Sequence, residues 1–164
     1  MGSTIVRSLG RAVLYGLLLV LVAVGGCAAT GPVAPEAMDR AAKSQVVPPD
    51  QAALYLYRAN SFYGSAILKE LTVDGGSKTH LGPGNYALIL VAPGEHRISV
   101  IGCNCPGDKP AVMTLPTDPG KRYFISIEGD FTRMPGDPAS KLIHVPPEEG
   151  LAALKELRLV RWAQ

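Results

Sequence analysis

The chain has 164 residues, of which 16 are basic and 14 are acidic. This length suits one domain with its export segments and excludes two domains of ordinary size. Two of the basic residues, Arg7 and Arg11, precede Cys27, so 14 basic and 14 acidic residues follow it. A neutral chain without a Lys/Arg cluster lacks the attraction that nucleic-acid binding requires, so nucleic acid is not an expected partner.

The first 26 residues have the layout of a secretory signal peptide. A short region with two arginines precedes thirteen uncharged residues (12–24), and a Gly-Gly pair follows them. A membrane-spanning helix needs about 20 apolar residues. The run is shorter than this, so we predict a signal-peptide helix over 1–26 and not a permanent span.

The sequence Val24-Gly25-Gly26-Cys27 resembles the bacterial lipobox. The resemblance implies that the Cys27 thiol carries diacylglycerol and that Cys27 is the first residue of the mature protein. Two acyl chains hold a protein firmly, whereas one holds it reversibly. Ala28 follows the cysteine in place of aspartate, which favours the periplasmic side of the outer membrane over the inner membrane. The alternative is an ordinary cysteine at the end of an ordinary signal peptide.

The next segment, 27–49, is rich in Ala, Pro, Gly and Ser and shows no sustained apolar period. Such a composition cannot bury enough surface to fold alone. We therefore expect a lipidated, flexible tether, whose 22 residues after Cys27 would reach roughly 25 Å as a coil. The folded domain is then expected over 50–164.

From residue 50 onward, short apolar runs with two-residue alternation are separated by Gly/Pro turns, which predicts strands. The first run, 54–57, is apolar on both faces and suits a central strand. Pro93-Gly94 separates two runs that we expect to form a hairpin, 86–91 and 95–101. The remaining predicted strands cover 67–73, 112–115, 122–128, 142–145 and about 157–160.

One short helix is expected near the C-terminus. Pro147, Glu148 and Glu149 suit a first helical turn, and Leu151 and Leu154 recur at helical spacing. Seven or eight short strands with one such helix predict a mostly-β fold, an antiparallel β-sandwich.

Four stretches in this region carry a resemblance to a known family: LYLYRAN (54–60), LTVDG (71–75), LGPGNYALILVAPGEHRISV (81–100) and KRYFISIE (121–128). Their order and spacing resemble a bacterial lipoprotein domain catalogued as domain of unknown function 2846. The resemblance covers roughly 51–130 and implies a small β-sandwich lipoprotein, without implying an activity. The stretches 103–110 and 130–140 have no counterpart in that family.

No motif for a serine nucleophile, a phosphate loop or a zinc protease occurs in the sequence. We therefore expect no enzyme and no cofactor. The first hypothesis is an envelope interaction module that binds another envelope protein or a cell-wall polymer. Its expected surface is an exposed patch of Tyr55, Tyr57, Arg58 and Phe62. A cell-wall hydrolase is the third hypothesis. It ranks behind the other two because the sequence contains no recognisable nucleophile or acid pair.

The second hypothesis is a metal-handling or redox protein centred on Cys103 and Cys105, with Met113 or a histidine as further ligand. In an oxidising compartment the two cysteines favour an internal disulfide. Residues two apart in a strand lie near the upper distance limit for such a bond, so the turn must bend. Free or partner-linked thiols and a metal site, such as one for Cu(I), are the alternatives.

Overall fold

The computed structural model describes residues 32–61, 66–76, 78–102, 108–129 and 140–161. The predicted signal peptide and the first part of the expected tether lie outside these residues. Two sheets and two short helices make up the described fold, so the predicted mostly-β sandwich with a C-terminal helix is confirmed. The elements are α1 (Glu36–Lys43), β1 (Ala52–Arg58), β2 (Lys69–Val73), β3 (Lys78–Leu81), β4 (Asn85–Val91), β5 (Gly94–Ile101), β6 (Ala111–Thr117), β7 (Arg122–Gly129), β8 (Ser140–Val145), α2 (Pro147–Leu154) and β9 (Arg158–Leu159).

The larger sheet has five strands in the order β8-β7-β1-β4-β9. Its central strand is β1, as expected for a run that is apolar on both faces, and all seven of its residues are buried. Two pairs in this sheet are parallel, β1 with β7 and β4 with β9. The sheet is therefore mixed, in contrast to the purely antiparallel arrangement that we expected.

The smaller sheet has the order β3-β2-β5-β6 and is antiparallel throughout. The expected hairpin between 86–91 and 95–101 is wrong, because β4 pairs with β1 in the larger sheet and β5 pairs with β2 and β6 in the smaller one. The Pro93-Gly94 turn thus passes the chain from one sheet to the other. Gly94 takes a φ of 146°, a conformation that side chains disfavour.

The main core lies between the two sheets. In β5 the inward residues alternate with exposed ones, and in β7 Ile125 and Ile127 point inward as the alternation predicts. Burial of apolar surface on these facing strands holds the sandwich together. The buried members of this core are Leu54, Leu56, Leu71, Val73, Leu81, Ala87, Ile98, Val100, Leu115, Ile125, Ile127 and Val160.

The two helices cover the outer face of the larger sheet and close a second core. Tyr55 and Phe124 stack there with ring centroids 5.0 Å apart, and Gly150 of α2 packs directly on Phe124. Leu154 completes the α2 contact at 2% exposure. The larger sheet is consequently buried on both faces, which makes the molecule three layers deep.

The expected flexible tether is wrong for residues 32–49, because this segment packs on the sandwich. Helix α1 buries Asp39 and Ala42 against the larger sheet. The Tyr55 hydroxyl donates to the Ala42 carbonyl at 2.9 Å, and Lys43 donates to the Leu157 carbonyl at 2.8 Å. The described fold thus begins at residue 32 instead of residue 50. None of the helices in the described residues is long and apolar enough to span a membrane.

Candidate functional site

The expected exposed patch of Tyr55, Tyr57 and Arg58 is not at the surface. Tyr55 is fully buried, Tyr57 is 4% exposed and Arg58 is 7% exposed. The error has a simple physical origin: β1 is the central strand, with α1 over one of its faces and the smaller sheet over the other. Phe62, the fourth member of the expected patch, lies outside the described residues.

Arg58 joins the two sheets at the end of β1. Its guanidinium donates to the Leu81 carbonyl of β3 at 3.1 Å and to the Ile67 carbonyl at 2.6 Å. Burial lowers the pKa of this side chain. The contacts give Arg58 a structural role, since its charge is placed on backbone acceptors inside the fold.

The described surface carries a shallow cleft at the opposite end of β1. It has a volume of about 390 Å³ and lies where the β6–β7 turn meets the end of β8 and the start of α2. Ile125 of β7, which points between the two sheets, pairs with His144 of β8. His144 therefore lies on the same face of the larger sheet, and it is exposed at this end. The cleft residues are Asp118, Lys121, Arg122, Tyr123, His144, Val145, Pro146 and Pro147.

Hydrogen bonds fix the orientation of Tyr123 in this cleft. The Asp118 N–H donates to the Tyr123 hydroxyl oxygen at 2.8 Å, and that hydroxyl donates to the Asp118 carboxylate at 3.3 Å. The Tyr123 ring lies 5.8 Å from the His144 ring, centroid to centroid. Two aromatic rings beside the exposed Lys121 offer flat apolar contact together with positive charge, while the Arg122 guanidinium donates to the Gln45 carbonyl. This combination can bind a polar chain that carries carboxylates.

A second polar cluster, formed by Asp74 and His96, lies where the chain changes sheets. Asp74 occupies the turn between β2 and β3 with a φ of 53°. Its carboxylate contacts the His96 Nδ1 atom at 2.7 Å and accepts from the Arg97 N–H at 2.8 Å. His96 Nε2 lies 2.7 Å from the Ala92 carbonyl. Because both neighbours of the ring are acceptors, the geometry favours a doubly protonated imidazolium.

The pKa values of this pair move apart. Burial lowers the pKa of His96, but the hydrogen bonds to Asp74 and to the Ala92 carbonyl outweigh it, so the net pKa is above its ordinary value of 6.5. Burial raises the pKa of Asp74, but the hydrogen bonds from His96 and from the Arg97 N–H bring it below 3.8. The cluster therefore stabilises the fold as an ion pair over the pH range between the two values.

We expect the free energy of unfolding to fall as the pH rises from 6 towards 9. A raised folded-state pKa makes the His96 contribution complete below pH 6.5, and this contribution is lost as the pH passes the folded-state value. The loss should be about 1 kcal/mol, a figure reduced for solvent screening because the Asp74 side chain is 48% exposed. Urea unfolding across this pH range measures it, and His96→Gln should flatten the slope.

His80→Gln is the matched control, because the side chain of His80 is 50% exposed and lies on β3. Its slope is the reference with which the slope of His96→Gln is compared. An unchanged slope in His96→Gln would show that the imidazolium is not the group that titrates.

The cysteine hypotheses concern residues that the structure does not describe. Cys27, Cys103 and Cys105 all lie outside the described ranges, so the lipid site and the disulfide, thiol and metal alternatives stay predictions. Met113, the proposed further ligand, packs against the core between the sheets. Within the described part of the chain, no three His, Cys, Asp or Glu side chains are grouped so as to hold a metal ion.

Sequence reasoning missed the cleft. The Asp-Pro-Gly-Lys-Arg stretch at 118–122 is a visible charged turn, but it was interpreted only as a connection between strands. His144 lies within the predicted strand 142–145, where no sequence signal distinguishes it, although its side chain is exposed. The missing information was the pairing of β7 with β8, which brings His144 beside Tyr123.

The chain is similar in sequence to a known bacterial protein. A protein of Haemophilus influenzae (strain Rd), named only as uncharacterized, is 29% identical over 149 residues, which are 91% of this chain and 83% of the relative. No protein-family model matches the chain. Residues 32–164 number 133, so at least 16 of the 149 matched positions fall within residues 1–31. The similarity thus extends beyond the sandwich into the N-terminal segment.

Proposed function

We propose that this chain is a lipid-anchored protein of the bacterial cell envelope whose sandwich domain is a binding module without catalytic activity. The observation that carries the proposal is the sequence of residues 1–27. Two arginines are followed by an uncharged run and a Gly-Gly pair, and Cys27 comes directly after this pair. The resemblance of 51–130 to domain of unknown function 2846 supports the same assignment. Ala28 favours the periplasmic side of the outer membrane as its location.

The cleft is the candidate binding surface of this module. The exposed Lys121 supplies positive charge, and the rings of Tyr123 and His144 supply apolar faces for a flat group such as a sugar ring. A carboxylate-bearing cell-wall polymer suits this combination, and an acidic segment of another envelope protein has the same charge. Both belong to the partner classes that the sequence leaves open.

Cys27→Ser tests the proposal in cells that express the full-length chain. Without the thiol no diacylglycerol is attached, so the cleaved variant is expected in the soluble periplasmic fraction, with nearly complete loss from the detergent phase. The uncleaved precursor keeps the apolar run 12–24, which itself enters detergent, and is recognised by its larger mass. The parent chain should partition into detergent. A photoreactive residue at His144 in the same cells should give crosslinks to the cell-wall polymer or an envelope protein.

Cys103→Ser is the matched control, since it removes a thiol far from the lipobox and should leave partitioning unchanged. A Cys27→Ser variant that has lost its signal peptide and still partitions into detergent would contradict the lipid anchor. Crosslinks of equal strength from His144 and from the outer-face residue Lys78 would contradict binding at the cleft.

A further inference from the structure

The described chain enters the fold at one edge of the larger sheet. Val33 pairs antiparallel with Val160 just beyond β9, and the Arg161 N–H donates to the Pro32 carbonyl at 3.0 Å. These contacts place residues 32 and 33 alongside the outermost strand. The point of entry is therefore fixed to this edge of the sandwich.

Three exposed side chains surround the point of entry, and we call this surface the anchor edge: Val33, Arg158 and Arg161. Val33 is 38% exposed. Arg158 is exposed while the next residue, Leu159, is buried, as alternation along a strand requires. An apolar side chain flanked by two arginines complements a phospholipid surface, where each basic residue near anionic headgroups contributes about 1 kcal/mol.

The short connection to Cys27 limits how the domain can lie on a membrane. Pro32 is five residues after Cys27, so the fully extended connection spans at most about 18 Å. The larger sheet extends from Val33 through β9, β4, β1 and β7 to β8, which is five interstrand spacings or about 24 Å. With the β8 edge against the lipid, the point of entry would be farther from the lipid than the connection can reach.

We propose that the anchor edge faces the phospholipid headgroups and that the β8 edge, with the cleft, points away from the membrane. This orientation rests on the lipid anchor at Cys27 proposed above. It adds a defined membrane contact to that anchor, and it presents Tyr123 and His144 to partners on the side away from the lipid.

Headgroup quenching on the full-length lipidated chain tests the orientation. A fluorescent amino acid is introduced by stop-codon suppression at Arg161, on the anchor edge, or at Lys141, an exposed residue of β8. Each protein is reconstituted into vesicles of phosphatidylethanolamine and phosphatidylglycerol in which some headgroups carry a nitroxide. The fluorophore at 161 is expected to be quenched several-fold more strongly than the fluorophore at 141.

Flotation of the vesicles separates the two proposals. Equal quenching at both positions, or stronger quenching at 141, in protein that floats with the vesicles would overturn the orientation and leave the anchor intact. Failure of the parent chain to float, or equal flotation of Cys27→Ser protein that has lost its signal peptide, would overturn the anchor and the orientation with it. Weaker quenching at 161 in high salt, with flotation unchanged, would support the contribution of Arg158, the arginine that remains in this variant.

Discussion

Gly150→Ala is expected to destabilise the protein by about 3 kcal/mol, because the added methyl group has no room. A Cβ atom at Gly150 would lie 2.1 Å from Cγ of the Phe124 ring. That ring is fully buried and stacks on Tyr55, so it has no open space into which to move. Helix α2 must therefore shift away from the sheet and lose contacts with it. Chemical denaturation of the variant and the parent chain measures the difference.

The sign of this effect distinguishes close packing from helix propensity. Alanine is ordinarily more stable than glycine inside a helix by about 1 kcal/mol. Ala152→Gly, at an exposed position of the same helix, is the control and should cost about that amount. In a Phe124→Leu background the cost of Gly150→Ala should shrink, since the two residues are in contact. A Gly150→Ala protein that is more stable than the parent would contradict the close packing.

Asp39→Ala is expected to cost about 3 kcal/mol. Asp39 is 4% exposed, and its carboxylate accepts from the Leu159 N–H at 2.8 Å and pairs with Lys43 at 2.9 Å. Burial raises the pKa of Asp39, but hydrogen bonds from Lys43 and from the Leu159 N–H bring it below 3.8. Its contribution is thus present above pH 3.8 and lost as the pH falls through the folded-state value. Urea unfolding near neutral pH gives the cost.

A second ion pair on the same helix provides the control. Glu36 and Arg40 are also four residues apart, but their side chains are 71% and 73% exposed. Glu36→Ala should therefore change the free energy of unfolding by less than about 0.5 kcal/mol. Equal effects of the two substitutions would contradict the docking of α1. Limited proteolysis gives an independent measurement, because residues 32–49 should belong to the resistant core of the parent chain.

The local sequence pattern was sufficient to predict most strands and the C-terminal helix. Two-residue alternation predicted β5 and β7, and Pro147 with two glutamates predicted the start of α2. Helix α1 was missed because the residues that it buries are Asp39 and Ala42. A carboxylate and a methyl group do not form an apolar stripe along a helix. A helix that docks mainly through hydrogen bonds therefore has the same amino-acid composition as a flexible spacer.

Long-range pairing explains the other errors. The Pro93-Gly94 turn has the local signature of a hairpin, and only the partners of each strand show that it passes between sheets. The two-faced apolar character of β1 correctly indicated a central strand. The same character implies that Tyr55 and Tyr57 are covered, which excludes them as an exposed patch. The cleft depends on the pairing of β7 with β8 and has no signature in either strand alone.

The central position of β1 sets the order in which the domain can fold. Ala53 pairs with Leu90 and Arg122, which follow it by 37 and 69 residues. The N-terminus leads during synthesis, so β1 emerges long before either neighbour. Until they arrive, a strand whose seven residues are all buried in the native state is open to association with other chains. Such distant pairing also slows folding. A holding chaperone that protects this segment is therefore expected to matter more for yield than the stability of the finished domain.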